Sequence, residues 1–302
     1  MEISIIIPTF NRETVLKQTL DNLKPLVEKY PIEIIIVNDG EALKDNYTDE
    51  NIHVFQNPKK GVTTARNFGA AKAKSNVLFF LDDDMWCNED AVKAILSFKE
   101  RGLTNTSCFL MNWEYPAELK EKLSKEKIGR YLLNANYHTL EGRLMDKVDN
   151  TLEFKQIDSI GSCSFVISKQ LFAQIGGYDE SYIFQGEDIA IAQTINRHRI
   201  PILLSTQITC FHNHIDRLDV EGMMDRDYRG YYSQFLQQGN NAVNSTKTIF
   251  YNAFLHIQNL FIKTYDLIPN SPAYDKLTFR FLGLIGNLSK TKAYRDAKKQ
   301  NK

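Results

Sequence analysis

The sequence predicts an α/β fold in which helices flank a mostly parallel central sheet. Across the first 110 residues, short apolar runs alternate with stretches whose apolar residues recur at helical spacing. Chains of this kind wind strands and crossover helices into parallel sheets. The apolar runs are also continuous, which indicates strands that are buried on both faces. Because ligands of such sheets bind at the carboxyl ends of the strands, we expect functional residues just after the strands.

The boundaries of the elements in this first half can be read in order. The first strand stops at Pro8, and Thr9 or Asn11 can cap the helix that follows. The second strand ends in the turn signal Asn38-Asp39-Gly40. The predicted strands are residues 4–7, 32–37, 52–55, 77–81 and 106–111, and the predicted helices are residues 15–27, 61–74 and 88–100.

The fourth strand ends abruptly in three carboxylates, Asp82, Asp83 and Asp84. If extended backbone continues through them, Asp82 and Asp84 point to one side and Asp83 points to the other. Carboxylate oxygens are the ligands that Mg²⁺ and Mn²⁺ take in proteins, so the triplet is a candidate metal site. A turn or a helix cap is the alternative, because Asp also accepts hydrogen bonds from free backbone N–H groups.

The rest of the chain is less regular. Residues 111–156 are charged, with a helical stretch near 117–133, and look like an insertion over the sheet. Gly161 lies in the next strand region, Glu187-Asp188 opens a helix, and His212 ends the last strand. Aromatic-rich helices are predicted at residues 226–239, 247–263 and 274–289, followed by a basic tail from residue 290 that we expect to fray. The predicted domain is residues 1–218, divided into 1–110, 111–156 and 157–218, and a helical extension covers 219–302.

The composition argues against several classes of protein. Lysine plus arginine equal aspartate plus glutamate at 37 each, so no overall field favours nucleic acid. The four cysteines lack the paired spacing of a zinc site and are typical of reduced thiols in a cytoplasmic protein. No signal peptide or long apolar run is apparent. The apolar stripes of the C-terminal helices are more typical of packing faces than of membrane-binding ones, and we favour a solvated basic tail. A peripheral contact of both with the inner face of the membrane is the alternative. The oligomeric state stays open.

Five strings stand in order along residues 1–214, and with them the chain strongly resembles family 2 glycosyltransferases, the inverting nucleotide-sugar enzymes of the GT-A fold. The strings are SIIIPTFNR, IIIVNDG, GVTTARNFGAAKAKSNVLFFLDDDM, GGYDESYIFQGEDIAIA and CFHNH. Residues 161–214 are also similar to the galactosaminyl and glucuronosyl modules of bacterial chondroitin-type polymerases. The resemblance implies transfer of a sugar from a nucleotide-sugar, with UDP-sugar expected, to a saccharide or glycoconjugate acceptor in cell-surface polysaccharide synthesis. It assigns nucleotide binding to residues 1–110 and acceptor binding and catalysis to residues 157–218.

The resemblance also implies a cofactor, Mn²⁺ or Mg²⁺, and the residues that hold it. Asp84 is the principal metal ligand, Asp82 lies at the ribose or the ion, and Asp83 stands in a variable place. His212 matches a position where several relatives supply a further ligand, and His214 is the alternative. The family often has a fourth acid where this chain has Met85. The residues implied at the donor are Pro8, Thr9, Arg12, Asp39, Arg66, Asp82, Asp83 and Gly161.

Several of these residues keep a second interpretation. Asp188 is the implied general base and Glu187 orients the acceptor or backbone, but acids at a helix start also stabilise the helix. Asp39 is an acceptor for the imide N–H of uracil or a turn former. Arg66 contacts nucleotide or pairs with an acid of the triplet. Gly161 allows close approach of the sugar or marks a bulge.

Two other functions remain as alternatives. A sugar-phosphate nucleotidyltransferase needs a glycine-rich loop after its first strand, and PTFNRET contains no glycine. A non-catalytic nucleotide-sugar or glycan-binding module has no need of a base.

Overall fold

The structure is a computed structural model that describes residues 1–144, 153–182, 186–213, 219–238 and 258–300. The described residues form two compact units. The first unit takes its residues from 1–115, 139–183 and 187–213, and the second from 116–138, 184–186 and 214–302. In this division residues 116–138 belong with the C-terminal helices. The domain boundary at residue 218 and the insertion at residues 111–156 stay predictions.

A nine-stranded sheet forms the centre of the first unit. The strands are β1 (Ile3–Thr9), β2 (Ile32–Asn38), β3 (Ile52–Gln56), β4 (Val77–Leu81), β5 (Met85–Trp86), β6 (Cys108–Glu114), β7 (Phe154–Ile157), β8 (Ser164–Ser168) and β9 (Ile202–His212). Their order is β3-β2-β1-β4-β8-β6-β9-β5, with β7 also paired to β9. The first four strands are parallel, as the alternating pattern predicts. Strand β8 is antiparallel to both β4 and β6, so the other half of the sheet is mixed.

Six α-helices belong to the first unit together with the sheet, and five others make up the described part of the second unit. Those of the first unit are α1 (Glu13–Lys29), α2 (Val62–Lys72), α3 (Glu89–Glu100), α6 (Leu140–Leu144), α7 (Lys169–Gln174) and α8 (Glu187–Arg197). Those of the second unit are α4 (Ala117–Ser124), α5 (Lys127–Asn134), α9 (Val220–Gln238), α10 (Gln258–Leu267) and α11 (Asp275–Gln300).

The structure corrects several predicted boundaries. Arg12, not Thr9 or Asn11, is the N-cap residue of α1, and it makes no side-chain cap bond. The predicted strand at 106–111 begins at Cys108, after a short 3₁₀ turn. The predicted stretch at 117–133 is two helices, and the tail expected to fray is helical as far as Gln300. Much of the predicted helix at 247–263 lies outside the described residues.

The core of the first unit follows from the continuous apolar runs, which are buried along β1, β2 and β4. Helix α2 approaches β1 closely at Gly69, where a Cβ atom would meet Ile6 Cγ2 at 2.4 Å. Only a residue without a side chain allows the helix to lie this near the strand.

A buried polar cluster joins the amino ends of β1 and β2. Ser4 Oγ donates to Glu33 Oε1 at 2.6 Å, and the backbone N–H of Lys74 donates to the same oxygen at 2.6 Å. Both Ser4 and Glu33 are fully buried. Hydrogen bonds offset the cost of removing this carboxylate from water.

The second unit packs around its own apolar residues, including Met223 of α9, Tyr265 of α10 and Ile285 of α11. Lys127 Nζ donates to the carbonyl oxygens of Tyr265 (2.7 Å) and Ile268 (2.9 Å), and so caps the end of α10. Among the helices that the structure describes, none combines the length and apolar character that a membrane span requires.

Candidate active site

The acid triplet forms a turn at the carboxyl end of β4. The strand ends at Leu81, and the N–H of Met85 donates to the carbonyl oxygen of Asp82 at 3.1 Å. The expected alternation of side chains is therefore wrong, because extended backbone does not continue through the triplet. Asp83 and Asp84 are both buried and both bond to Arg12, whereas the Asp82 side chain is one-third exposed and bonds elsewhere.

Arg12 and Thr9 hold the two buried carboxylates. Arg12 Nη1 lies 2.5 Å from Asp83 Oδ1, and Nη2 lies 2.8 Å from Asp84 Oδ2. Thr9 Oγ1 donates to Asp83 Oδ2 at 2.7 Å. Burial raises the pKa of Asp83 to about 7, against the lowering effect of the Arg12 charge. Thr9 and Arg12, which the resemblance assigns to nucleotide binding, thus bond to the acid triplet in this structure.

Asp84 also lies beside His212, with Asp84 Oδ1 3.2 Å from His212 Nε2. The short strand β5 brings them together, since Met85 pairs with His212 and the N–H of Asn213 donates to the carbonyl oxygen of Asp84. A carboxylate and an imidazole are donors that Mn²⁺ accepts, so these two residues fit the implied ion. His214 lies outside the described residues.

Asp82, the other implied metal ligand, pairs with Arg66 instead. Over the described ranges, no group of three or more His, Cys, Asp or Glu side chains is arranged to hold a metal ion. A protein pair that leaves other positions to substrate phosphate and water is usual for Mg²⁺.

Arg66, on α2, bridges acids from two parts of the chain. Its Nη2 atom lies 2.8 Å from Asp82 Oδ1, and its Nη1 atom lies 3.1 Å from Glu187 Oε1. The guanidinium carbon lies 5.3 Å from the centre of the Tyr178 ring. In this structure Arg66 is therefore a salt-bridge partner of the acid triplet, which was the second interpretation of this residue.

Glu187 and Asp188 begin α8, as predicted. Burial and, to a smaller extent, the neighbouring Asp188 charge raise the pKa of Glu187 to about 7, against the lowering effect of Arg66. Burial also raises the pKa of Asp188, against the lowering effects of Arg66 and Ser162. Ser162 donates to Asp188 Oδ1 from both its backbone N–H, at 3.0 Å, and its hydroxyl group.

Asp39 organises the loop before α2. Its carboxylate accepts from Asn57 Nδ2 at 2.6 Å and from the N–H of Gly61 at 3.0 Å. The turn after β2 is packed tightly against the turn after β1, because a Cβ atom on Gly40 would meet Asn11 Oδ1 at 2.1 Å. Pro8 lies near the carboxyl end of β1, where it is paired with Val37 of β2.

Gly161 has no packing reason to be glycine. A Cβ atom there would meet nothing nearer than Cys163 Sγ at 3.7 Å, an ordinary contact. The N–H of Asp82 donates to the carbonyl oxygen of Cys163 at 3.3 Å, which joins the acid triplet to the Gly161-Ser162 segment.

Sequence reasoning missed the contributions of Tyr178 and Asn57. Tyr178 lies in the string GGYDE, where Gly176 and Gly177 adopt positive φ of 81° and 73°. Two glycines in succession signal the turn that carries the tyrosine inward. Asn57 follows a strand end, the position at which polar residues reach the crevice.

Comparison with known proteins gives consistent results. Residues 4–174 match the sequence profile of the family described as glycosyl transferase family 2. Glycosyltransferase GlyA from Streptococcus pneumoniae is 31% identical over 102 residues, which cover 31% of this chain and 14% of that protein. A validoxylamine A glucosyltransferase from Streptomyces hygroscopicus subsp. limoneus is 25% identical over 247 residues, which cover 74% of this chain and 54% of that protein. The chain thus spans about half or less of the length of these relatives.

A crystal structure of GalNAc-T7 with UDP, GalNAc and Mn²⁺ has a TM-score of 0.50 to this chain at 18% identity. The match covers 70% of this chain and 43% of that one. A likeness at this identity concerns the fold alone, and it confirms the predicted GT-A class. Because the profile match covers more than half of the 302 residues and includes the acid triplet, this chain belongs to glycosyl transferase family 2.

Proposed function

We propose that the protein is a metal-dependent, inverting glycosyltransferase that uses a UDP-sugar and transfers the sugar to a hydroxyl group of a saccharide or glycoconjugate acceptor. Cell-surface polysaccharide synthesis is the proposed setting. The observation that carries the proposal is one connected cluster. The Asp84–His212 pair lies beside Asp82 in the chain, and Arg66 links Asp82 to Glu187, the neighbour of Asp188. The metal and nucleotide named with the solved GT-A structure support the choice of cofactor and donor.

In this proposal Asp84 and His212 would hold Mn²⁺ or Mg²⁺, with Asp82 on the ribose side. When bound, the ion would neutralise the charge that develops on the departing diphosphate. Thr9 and Arg12 hold two acids of the triplet, and together with Pro8 they form the proposed loop around the base and ribose of the donor. The other proposed donor contacts are Asp39 at the base, Arg66 and Asp83 at the nucleotide, and Gly161 at the sugar.

Asp188 takes the proton from the acceptor hydroxyl group in a single in-line displacement. Both Ser162 bonds go to Oδ1, so the proton is received at Oδ2. A base must be unprotonated to act, and the Arg66 charge favours that form of Asp188 against burial. Glu187, held by Arg66, orients the acceptor or the neighbouring backbone.

We also propose that the protein works in the cytoplasm, in peripheral contact with the inner face of the membrane. Leu260 and Leu267 lie seven residues apart on α10 and are 59% and 82% exposed. Lys263, between them, is exposed, as are Leu277 and Arg280 on α11. Exposed leucines among basic side chains fit an anionic lipid surface. No nucleic acid partner is proposed.

Binding of nucleoside diphosphates tests the metal and donor assignments together. We expect UDP with Mn²⁺ to raise the melting temperature of the wild type more than either alone, because a ligand stabilises the state that it binds. Asp84→Ala should abolish the ion-dependent part of this shift. Asp21→Ala, an exposed acid on α1, is the matched control and should keep the shift.

The outcome separates the alternatives. An intact ion-dependent shift in Asp84→Ala would refute the metal assignment. Tight UDP-sugar binding without transfer or hydrolysis for every donor tried would instead favour the non-catalytic binding module.

A further inference from the structure

Asp188 is the end of a chain of hydroxyl donors that continues past Ser162 to Tyr178, a residue to which the proposed function gives no role. The Tyr178 hydroxyl group donates to Ser162 Oγ at 2.9 Å, and Ser162 Oγ donates to Asp188 Oδ1. Tyr178 and Ser162 are almost completely buried, at 2% and 1% exposure. Solvent is therefore excluded from these hydroxyl groups, and each finds its partner inside the protein.

The direction of this chain follows from the chemistry of its end. An ionised carboxylate can only accept hydrogen bonds, so the Ser162 proton must point toward Asp188. The Ser162 oxygen is then left to accept, and it accepts from Tyr178. Burial raises the pKa of Tyr178 far above its ordinary value, which keeps this phenol a neutral donor. Donors arranged in series strengthen one another in a low-dielectric interior.

The surroundings hold Tyr178 in place independently of its hydroxyl group. Asn67, on α2, exchanges two hydrogen bonds of 2.9 Å with the backbone N–H and carbonyl of Tyr178. The ring lies edge-on to Phe80 at 5.4 Å, and Arg66 lies over it. These contacts hold the ring so that its hydroxyl group reaches Ser162, and a phenylalanine at this position would keep all of them.

We propose that Tyr178 and Ser162 are positioning residues that fix the carboxylate of Asp188, occupy its Oδ1 atom and reserve Oδ2 for the acceptor proton. The inference rests on the proposed role of Asp188 as base. A carboxylate that can rotate about its Cβ–Cγ bond presents either oxygen to the acceptor. A pair of donors from one residue on Oδ1 prevents that rotation, and the Tyr178 hydroxyl group keeps the Ser162 proton aimed.

The test removes each donor singly. In Tyr178→Phe we expect kcat to fall about tenfold, and in Ser162→Ala about a hundredfold, with the donor KM changed less than about threefold. Loss of a donor to a carboxylate raises its pKa. The acid limb of the pH–rate profile, where the rate rises as the base loses its proton, should therefore move to higher pH in Ser162→Ala. It should move in the same direction but less in Tyr178→Phe, where the lost donor acts on Asp188 through Ser162. Tyr182→Phe, which removes a hydroxyl group four residues away, is the matched control.

A purely structural role would lower the melting temperature without moving the pH profile. If Tyr178→Phe folds and keeps the wild-type kcat and pH profile, the proposed positioning role is refuted. If it does not fold, Ser162→Ala decides by the same two measurements.

A second measurement does not depend on turnover. A ¹³C carboxyl NMR titration, with the Asp188 signal assigned from its loss in Asp188→Asn, should give a higher Asp188 pKa in Ser162→Ala and in Tyr178→Phe than in the wild type. Absence of any transfer by the wild type would refute the proposed function, and the titration would still test the positioning of Asp188 by Ser162 and Tyr178. An unchanged Asp188 pKa in both variants would refute that positioning role alone.

Discussion

Charge balance is the dominant constraint on the residues of the candidate site. Within the part of the chain that the structure describes, Arg12 pairs with Asp83 and Asp84, and Arg66 pairs with Asp82 and Glu187, the neighbour of Asp188. Burial is the main cause of the raised pKa values of Asp83, Glu187 and Asp188, and neighbouring carboxylates add to it. A divalent cation would offset the charge of these carboxylates, which is consistent with the proposed metal dependence.

The role of Asp188 is tested by a change that preserves its shape. Asp188→Asn can still accept from Ser162 but cannot take up a proton. We expect UDP and Mn²⁺ to stabilise this variant as they do the wild type, while kcat falls by about 10² to 10⁴. Thermal shift and a transfer assay measure the two effects. Asp179→Asn, an exposed acid in the same string, is the control, and unimpaired turnover in Asp188→Asn would remove Asp188 as the base.

Sequence reasoning could identify these acids and offer Arg66 as a partner of the triplet, but it could not tell which acid Arg66 contacts. The triplet and Glu187-Asp188 stand out in the sequence because charged residues directly follow apolar runs or open a helix. Whether Asp82 faces Asp84 or Arg66 depends on where β4 ends, and a single turn reverses the answer. Tyr178 was missed because a buried tyrosine and a core phenylalanine give the same apolar pattern.

At the scale of elements, α2 places Arg66 and Asn67 by lying unusually close to β1. The close approach is made at Gly69, whose missing side chain is replaced by Ile6 and Val37. Both neighbours are β-branched and stiff, so neither can move aside easily.

The contact predicts opposite effects for two helical glycines. Gly69→Ala should destabilise the protein by about 1–3 kcal/mol, because the added methyl group overpacks the helix against the strand. Gly283→Ala, on α11, has nothing within 4 Å of the new atom and should stabilise by about 0.5–1 kcal/mol through helix propensity. Urea midpoints followed by circular dichroism measure both. Equal responses would contradict the inferred close packing.

The strands of the first half were predictable because each is a local apolar run with a clear stop. Strand β8 was not placed by the same reasoning. It lies between β4 and β6 and runs antiparallel to both, a pairing between residues more than fifty positions apart. Periodicity reports which residues are buried and does not report which strands are neighbours.

For the whole molecule, the sequence predicts no net charge, so any attraction to a membrane must be local. The Leu260→Ser, Leu267→Ser double variant should bind vesicles of phosphatidylcholine and phosphatidylglycerol about tenfold or more weakly than the wild type, because apolar area is lost from the contact. Sedimentation with the vesicles measures binding. Ile189→Ser, which changes a 51% exposed residue on α8, is the control.

The contact with lipid should also weaken with salt and with vesicles of phosphatidylcholine alone, since screening reduces the attraction of Lys263 and Arg280. Equal binding by the double variant and the wild type would contradict the proposed surface.

The buried pair of Ser4 and Glu33 has a consequence for the opposite edge of the sheet. If β1 slipped along β2 by one residue, the hydroxyl group would leave the carboxylate, which would then face apolar side chains at a cost of several kcal/mol. The same slip would carry Thr9 about 3.3 Å past Asn38, its present neighbour. Correct alignment is thus enforced at the end of the sheet away from the candidate site, and it sets the spacing of the two loops that border that site.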